Sequence, residues 1–350
     1  MTRSGRVLAV ALAAAALLTS AACGGDSKPK KSATPSPTTT PTKSSPVTTP
    51  PPPLPKNPYT GVGAVPTTPT ISVKIDDTAP GRPQRGIDKA DIVYIEAVEG
   101  GLTRLAAIYG TNKPVVGYVR STRPSDPDLL LQYGKITAAY SGGAHDSLPL
   151  MRRSGLKSWS NDAGAPYYSR VSRGASSYIN VVLDLAKVAK KTKTVRPKSI
   201  GWTFNASDAG LPAAKGTDVR TTVTGSYASG TPVEFRYSAA IKKYVRYIDG
   251  VRQVAADGRP VTAANVIVQE CRIVAHPQDT DVNGNPAQFT YTVGRGKVSV
   301  FRHGKRVNGT WSRPKVGSGT TLRTAAGKPL PLVPGNTWVV LVRTGIPTRG

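Results

Sequence analysis

Acidic side chains gather at the ends of the first two predicted strands of this chain. In the stretch ISVKIDD, the alternation of apolar and polar residues places Asp76 on the polar face at the end of a strand, and Asp77 follows it. In IVYIEAVEGG, Glu96 shares a face with Tyr94, and Glu99 lies opposite, at the mouth of a glycine turn. Two carboxyl groups held about 5 to 10 Å apart can act as acid and base on a glycosidic bond. Asp76 and Glu96 are therefore the candidate catalytic pair.

Arginines from neighbouring segments accompany these carboxylates. Carboxylates flanked by guanidinium groups can orient a polar or anionic ligand such as a sugar or a peptide, and ligands of α/β domains collect at strand ends. We therefore predict a polar cleft whose ligand-binding residues include Asp77, Arg82, Glu99, Arg104, Arg120 and Arg123. The alternative interpretation is a structural network of ion pairs that fixes loops. Within the cleft, Asp77 is expected to cap its turn.

A second candidate anion site lies in AYSGGAHDSLPL. A strand, a turn at Gly142 and Gly143, and a helix beginning near Asp146 or Ser147 would leave backbone amides free to bind an anion. His145 could transfer protons there, although a lone loop histidine is more often exposed and idle. No Walker or dinucleotide fingerprint accompanies this segment.

Several reaction classes are disfavoured by motifs that the sequence lacks. It contains no HExxH, no paired Cys-x-x-Cys and no cluster of histidines, which argues against a transition-metal site, and we predict neither a metal nor a cofactor. It also contains no Gly-x-Ser-x-Gly, and the Ser-x-x-Lys match at Ser154, a pattern common by chance at these Ser and Lys frequencies, has no companion KTG. Nucleophilic-serine chemistry is therefore disfavoured, and whether the protein is an enzyme stays open.

The predicted secondary structure around these residues divides the chain into two regions with different patterns. From residue 70 to about 191, strand-like runs alternate with the helical runs SDPDLLLQYG, SLPLMRRSG and SSYINVVLDLAKVAKK, and VEGGLT predicts a hairpin turn. Ser125 has capping-box spacing, and Gly134 is placed to end its helix. From about residue 196, short alternating runs are split by glycine turns. The predicted fold class is a mixture of α+β and α/β: an N-terminal α/β domain with a mixed sheet (59–195) and a C-terminal, mostly antiparallel β domain (196–346).

The first 58 residues predict export and tethering. Arg3 and Arg6 precede an apolar run that ends in LLTSAACGG, so residues 1–22 are interpreted as a lipoprotein signal peptide with Cys23 as the lipidated residue. The alternative is an ordinary secretory signal with an incidental cysteine. Residues 23–58, rich in Pro, Ser, Thr and Lys, predict a disordered tether. Acyl chains on Cys23 would hold the protein on the outer face of the cytoplasmic membrane of a bacterium. Cys271 is predicted to be a buried structural thiol.

Longer stretches carry a resemblance to a known family. The pieces ISVKIDD, RPQRGIDKADIVYIEAVEGGLTRLAAIY, GYVRSTRP, AYSGG, ANVIVQ, GRGKVSVFRHGKRVNGTWSRP and LPLVPGNTWVVLV look like the YerB-like bacterial lipoproteins. The resemblance implies the same tether, an N-terminal α/β domain and a C-terminal β-rich domain, but no reaction, because both domains are of unknown function. Asp76-Asp77 stands where similar proteins tend to have Asp-Asn, and SSYIN where they tend to have PHNLY, so a role for a histidine at that place is not expected here.

The excess of positive charge indicates what kind of partner to expect. The chain has 47 Lys and Arg against 20 Asp and Glu, and loss of residues 1–22 would lower its net charge only from +27 to +25. Outside a cell, such a charge favours anionic wall polymers and phospholipid headgroups, and no nucleic-acid module is recognisable. We predict a lipid-anchored envelope protein that binds cell-wall glycan, peptidoglycan or another anionic envelope component. A hydrolase or transferase acting on wall carbohydrate, and a scaffold for an envelope protein partner, are the alternatives.

Overall fold

The structure is a computed structural model, and it describes residues 56–173, 179–192, 195–212 and 218–350. The predicted signal peptide, Cys23 and most of the predicted tether lie outside the described residues. The fold begins slightly before the predicted boundary, because Asn57 is buried and donates a hydrogen bond to Thr111 Oγ1 at 2.8 Å. Among the described residues, none of the helices has the length and apolar character of a membrane-spanning segment.

Strands dominate the described chain. Within the ranges given above it forms three short α-helices, α1 (Asp126–Leu130), α2 (Ser147–Arg153) and α3 (Leu185–Lys191). The strands in the same ranges are β1 (Ile71–Asp76), β2 (Ile92–Ala97), β3 (Thr103–Tyr109), β4 (Val115–Gly117), β5 (Thr137–Tyr140), β6 (Lys157–Ser160), β7 (Tyr168–Arg170), β8 (Val181–Asp184), β9 (Val219–Val223), β10 (Thr231–Ser238), β11 (Lys243–Ile248), β12 (Val251–Arg252), β13 (Thr262–Ala263), β14 (Asn265–Cys271), β15 (Ile273–Thr280), β16 (Pro286–Thr290), β17 (Gly294–Arg302), β18 (Lys305–Arg313), β19 (Thr321–Thr324) and β20 (Thr337–Arg343).

A mixed sheet of ten strands runs through both halves of the chain. Its order is β19-β18-β17-β14-β20-β2-β3-β1-β5-β6, and its middle is the parallel pair β20 and β2. β20 is buried on both faces, from Trp338 to Val342, as is typical of a central strand flanked by parallel neighbours. The sheet therefore crosses the boundary that the sequence predicted at residues 195–196.

Three smaller sheets complete the described fold. Strands β9 to β13 form an antiparallel sheet, β4, β8 and β7 form another, and β15 pairs only with β16. This two-stranded ribbon, residues 273–290, projects from the C-terminal half and carries its tip at residues 281–285. Among the described strands of the C-terminal half, all pairings are antiparallel except that of β14 with β20, and an isolated bridge between Phe204 and Leu332 is also parallel; the region is thus mostly antiparallel, as expected.

The helices are shorter than the sequence predicted. α1 continues as a 3-10 turn that ends at Gly134 with φ of 87°, as expected, but the Ser125 side chain makes no capping hydrogen bond. The run SSYINVVLDLAKVAKK was expected to be helical, and in the structure its middle forms β8. The β-branched pair Val181 and Val182 favours the extended backbone, and β8 pairs with β4 and β7. The helix α3 begins only after Asp184, whose carboxylate accepts a hydrogen bond from the Lys187 amide.

Candidate functional site

Three adjacent strands place an acidic, a basic and a second acidic residue side by side. β3 pairs antiparallel with both β1 and β2, so Arg104 lies opposite Asp76 on one side and opposite Glu96 on the other. Directly opposed residues of neighbouring strands point to the same face of a sheet. The turn that connects β2 to β3, Glu99–Gly101, is the hairpin predicted from VEGGLT.

A cleft of about 860 Å³ borders this row at Arg104. Six parts of the chain form its walls: the turn after β1, the β2–β3 turn with the start of β3, the segment after β4, the turn before α2, the residue Ile179 before β8, and the end of β15 with the ribbon tip. Five of the predicted ligand-binding residues line the cleft: Glu99, Arg104, Arg120, Arg123 and Gly143. The ribbon tip, Thr280 to Asn283, was not predicted.

Arg104 is a buried cation with few partners. Its side chain is 7% exposed, and Nη1 lies 3.8 Å from Asp76 Oδ2. The same Nη1 donates to the Thr103 carbonyl oxygen at 3.2 Å, whereas Nε has no hydrogen-bond partner among the described residues. Burial lowers the pKa of Arg104 to about 10, although the Asp76 carboxylate opposes this change. A buried donor without an acceptor is costly, so an anion in the cleft would supply what the chain does not.

The other two arginines of the cleft are also only partly satisfied. Arg120 Nε lies 3.2 Å from Asp76 Oδ2, and Arg123 Nη2 donates to Glu99 Oε2 at 2.5 Å. Within the described part of the chain, Nε of each arginine has no partner with hydrogen-bond geometry. Arg123 Nη1 donates to the Ser121 and Thr122 carbonyl oxygens, so among the described residues the unpaired polar atoms at this place are the arginine Nε groups and Asp76 Oδ2.

Asp76 lies beneath these arginines and not on the open surface of the cleft. It is fully buried, and its Oδ1 accepts hydrogen bonds from the Thr78 amide at 2.7 Å and the Thr78 hydroxyl at 2.5 Å. Its Oδ2 faces Arg104 and Arg120. The carboxylate therefore shapes the turn after β1 and orients two guanidinium groups.

Glu96 belongs to a separate, buried network of ion pairs. Lys74 Nζ donates to Glu96 Oε2 and to Asp126 Oδ1, each at 2.6 Å, and the three side chains are at most 4% exposed. Asp126 also accepts hydrogen bonds from the Thr122 hydroxyl and the Arg123 amide. Burial raises the pKa of Glu96 to about 8; the Lys74 ammonium lowers it, and the Asp126 charge adds to the rise. Glu96 is not among the described residues that line the cleft, so a catalytic pair with Asp76 would lack access to a substrate.

Asp77 and Arg82 also lie away from the cleft lining. The Arg246 guanidinium donates to both oxygens of Asp77, at 2.9 and 2.8 Å, and Thr103 Oγ1 donates to Oδ2 at 2.8 Å. Arg246 also stacks over the ring of Trp338, 5.0 Å from its centroid. Asp77 therefore clamps the two halves of the chain together, while Arg82 Nε donates to the Asp77 carbonyl oxygen at 3.3 Å.

The predicted anion site at the start of α2 is filled from within the chain. The backbone amides of Asp146 and Ser147 donate to the carboxylate of Asp279 on β15, as does the Ser147 hydroxyl. His276, also on β15, places Nε2 3.0 Å from Asp146 Oδ2. Asp279 thus supplies the anion that the amides require, and it fastens the ribbon to α2.

The remaining predicted residues of that segment have different positions. Gly142 adopts a positive φ of 73°, which suits a turn, and Gly143 lines the cleft. The His145 side chain is 88% exposed. Elsewhere, Cys271 is buried, and burial raises the pKa of its thiol to about 12, as befits a structural cysteine. The part of the chain that the structure describes holds no group of three or more His, Cys, Asp or Glu arranged to bind a metal.

Comparisons with known proteins agree with the resemblance seen in the sequence. Residues 59–198 match the N-terminal domain, and residues 222–339 the C-terminal domain, of a protein family of unknown function (DUF3048). The Bacillus subtilis (strain 168) protein named "Putative lipoprotein YerB" is 27% identical over 286 residues, which cover 78% of this chain and 80% of that protein. The crystal structure of YerB from Bacillus subtilis matches with a TM-score of 0.68 at 24% identity, over 82% of this chain and 96% of that chain, and so shares the fold.

Proposed function

Because the chain belongs to the YerB-like family, whose two domains are both of unknown function, we propose a function from its cleft: an envelope lipoprotein that binds an anionic component of the bacterial cell envelope. A cell-wall polymer is the candidate ligand, and Arg104, Arg120 and Arg123 are the residues that bind its acidic group. The anchor at Cys23 belongs to this proposal, because it would keep the cleft near the membrane and the wall.

One observation carries the proposal. The Arg104 guanidinium is buried at the wall of an open cleft, yet the described residues give it one hydrogen bond and one ion pair, at 3.8 Å to Asp76, and leave its Nε without a partner. Guanidinium groups bind carboxylates and phosphates through paired, charge-assisted hydrogen bonds. An anionic ligand would accept the hydrogen bonds of Arg104 that no described residue accepts.

Sedimentation with purified sacculi tests this proposal. The compact unit Pro53–Gly350 is expected to pellet with sacculi at moderate salt, and Arg104→Gln should weaken binding at least about tenfold, because a hydrogen bond to a charged group is lost. Arg259→Gln is the matched control, since Arg259 is an exposed arginine paired with Asp257 outside the cleft. Equal losses in both variants would mean that net charge, and not the cleft, drives binding.

The same assay separates the two alternatives. Released sugar fragments would support a hydrolase or transferase and return attention to Asp76 and Glu96, in spite of the burial of Glu96. If the protein neither pellets nor releases sugar, the wall proposal fails, and a protein partner should be sought by crosslinking in intact cells.

A further inference from the structure

Aliphatic side chains lie next to the arginines of the cleft. Val282, at the tip of the ribbon, is fully exposed, and Leu102, in the β2–β3 hairpin, is 46% exposed; both line the cleft. Pro80 and Ile179 add further apolar surface to its walls. Exposed apolar side chains beside a charged site gain free energy when a ligand covers them. The ligand should therefore carry a small aliphatic group close to its negative charge.

The cleft is poorly suited to the flat face of a sugar ring. Among the described residues, its lining contains no aromatic side chain, although stacking on aromatic rings is a frequent way to hold a ring-shaped ligand. It does contain neutral hydrogen-bonding side chains, such as Ser121, Thr280 and Asn283. Such groups can pair with the N–H and C=O groups of a peptide.

Two carboxylates in the lining indicate the charge of the ligand. Glu99 lies beside Arg123, and Asp281 lies on the ribbon tip, where its carboxylate accepts the Asn283 and Asn285 amides. These negative charges disfavour a phosphate with nearly two charges more than a carboxylate with one, by simple repulsion. They also rule against a long hydrocarbon chain, which would desolvate them.

We propose that the cleft binds the free carboxyl end of a short peptide with small aliphatic side chains, with Arg104 on the carboxylate and with Val282 and Leu102 on an aliphatic side chain. The peptide stem of a wall polymer has this chemistry. This inference rests on the proposed function and narrows it, because it assigns the acidic group to a peptide and not to a sugar or a lipid.

Isothermal titration of the unit Pro53–Gly350 with a dipeptide acid, its amide, a sugar and a lipid-like phosphate tests the inference. N-acetyl-alanyl-alanine, as the D,D and the L,L isomer, is expected to bind, and its C-terminal amide should bind at least about tenfold more weakly because the charge is lost. Di-N-acetylchitobiose and octyl phosphate are the sugar and lipid probes. Val282→Ser should weaken binding of the free acid about fivefold, whereas Val251→Ser, at an exposed valine outside the cleft, should leave it unchanged.

The outcomes separate this inference from the proposed function. Tighter binding of octyl phosphate or chitobiose than of the dipeptide acid, lost in Arg104→Gln, would overturn the peptide assignment and keep the anion-binding cleft. If no probe binds in an Arg104-dependent way but sacculi still do, the dipeptide assignment also fails. If the unmodified protein binds neither sacculi nor any of the probes, the proposed function itself is contradicted.

Discussion

The two clusters of buried charge lie on one face of the sheet and share strand β1, which contributes Lys74 to one and Asp76 to the other, yet they are completed differently. In the inner cluster, Lys74 Nζ lies 2.6 Å from an oxygen of Glu96 and of Asp126, and with the pKa of Glu96 raised to about 8 the three groups are together neutral near pH 7; of their polar atoms, only Glu96 Oε1 lacks a hydrogen-bond partner among the described residues. In the cleft cluster, formed by Arg104, Arg120 and Arg123 with Asp76 and Glu99, the Nε atom of each arginine and Asp76 Oδ2 lack a hydrogen-bond partner in the described chain. Charges of the first kind stabilise a fold, and charges of the second kind are available to a ligand.

A third arrangement, the clamp between Asp77 and Arg246, provides the strongest test of this comparison. Arg246→Met would leave the Asp77 carboxylate buried without its partner, and we expect a loss of about 3 to 5 kcal/mol in the free energy of unfolding, measured in urea. The double variant Arg246→Met with Asp77→Leu should recover much of the loss, because no unpaired charge stays behind. A loss under about 1 kcal/mol for the single variant would mean that the clamp contributes little.

Lys74→Met should have the next largest effect. It leaves two buried carboxyl groups without their ammonium, and we expect a loss of about 3 kcal/mol at pH 8. The loss should be smaller at pH 5, because both carboxyl groups can then take up protons more easily. Urea unfolding at the two pH values measures the difference, and a loss independent of pH would contradict the assignment of the inner cluster.

Glu96→Gln tests the protonation of the inner cluster. Folded Glu96 keeps its proton up to about pH 8, whereas the unfolded chain releases it near pH 4.5, so the folded state binds more protons between these values. The contribution of Glu96 to stability therefore falls as the pH rises through this window. In the variant, the decrease in free energy of unfolding from pH 5.5 to pH 8 should be smaller, by up to about 3 kcal/mol. An unchanged pH profile would mean that Glu96 is ionised in the fold.

Arg104→Met should have the smallest effect on stability. The guanidinium is buried with few hydrogen bonds, and Asp76 keeps Arg120 and Thr78 as partners, so we expect a change within about 1 kcal/mol. The same urea measurement as for Arg246→Met gives a direct comparison of two buried arginines. A loss as large as that of Arg246→Met would make the cleft cluster structural and would remove the main support for ligand binding.

Local sequence patterns singled out Glu99, Arg104 and Arg123, which line the cleft, but not the strand order that brings the row together. The hairpin predicted from VEGGLT accounts for the pairing of Glu96 with Arg104, whereas the pairing of Arg104 with Asp76 requires β1 beside β3, which the alternation in ISVKIDD does not specify. Glu99 and Arg123 were expected in the same cleft, and they form an ion pair there. Lys74 lies on the same polar face and was not singled out from the sequence, because only the packing of α1 on that face brings Asp126 to it.

Contacts over long sequence distances could not be read from the chain. Asp77 and Arg246 are 169 positions apart, and Asp279 reaches α2 over more than 130 positions. An aspartate in a strand or turn has the same local pattern whether it caps its own turn, pairs with a distant arginine or fills a distant helix start. The apolar run of β20 fits a place in either half, so its pairing with β2 could not be predicted.

The pairing of β20 with β2 has a consequence for the order in which the chain folds. Residues 92–95 pair with residues 337–340 at the middle of the sheet, so the N-terminal half cannot complete its central strand pairing until almost the whole chain has been synthesised. Pairings between such distant segments form slowly, and a strand edge is prone to aggregation until its partner strand pairs with it. A chain that ends before β20 would leave the edge of β2 open, and cells would have to keep this intermediate soluble or degrade it.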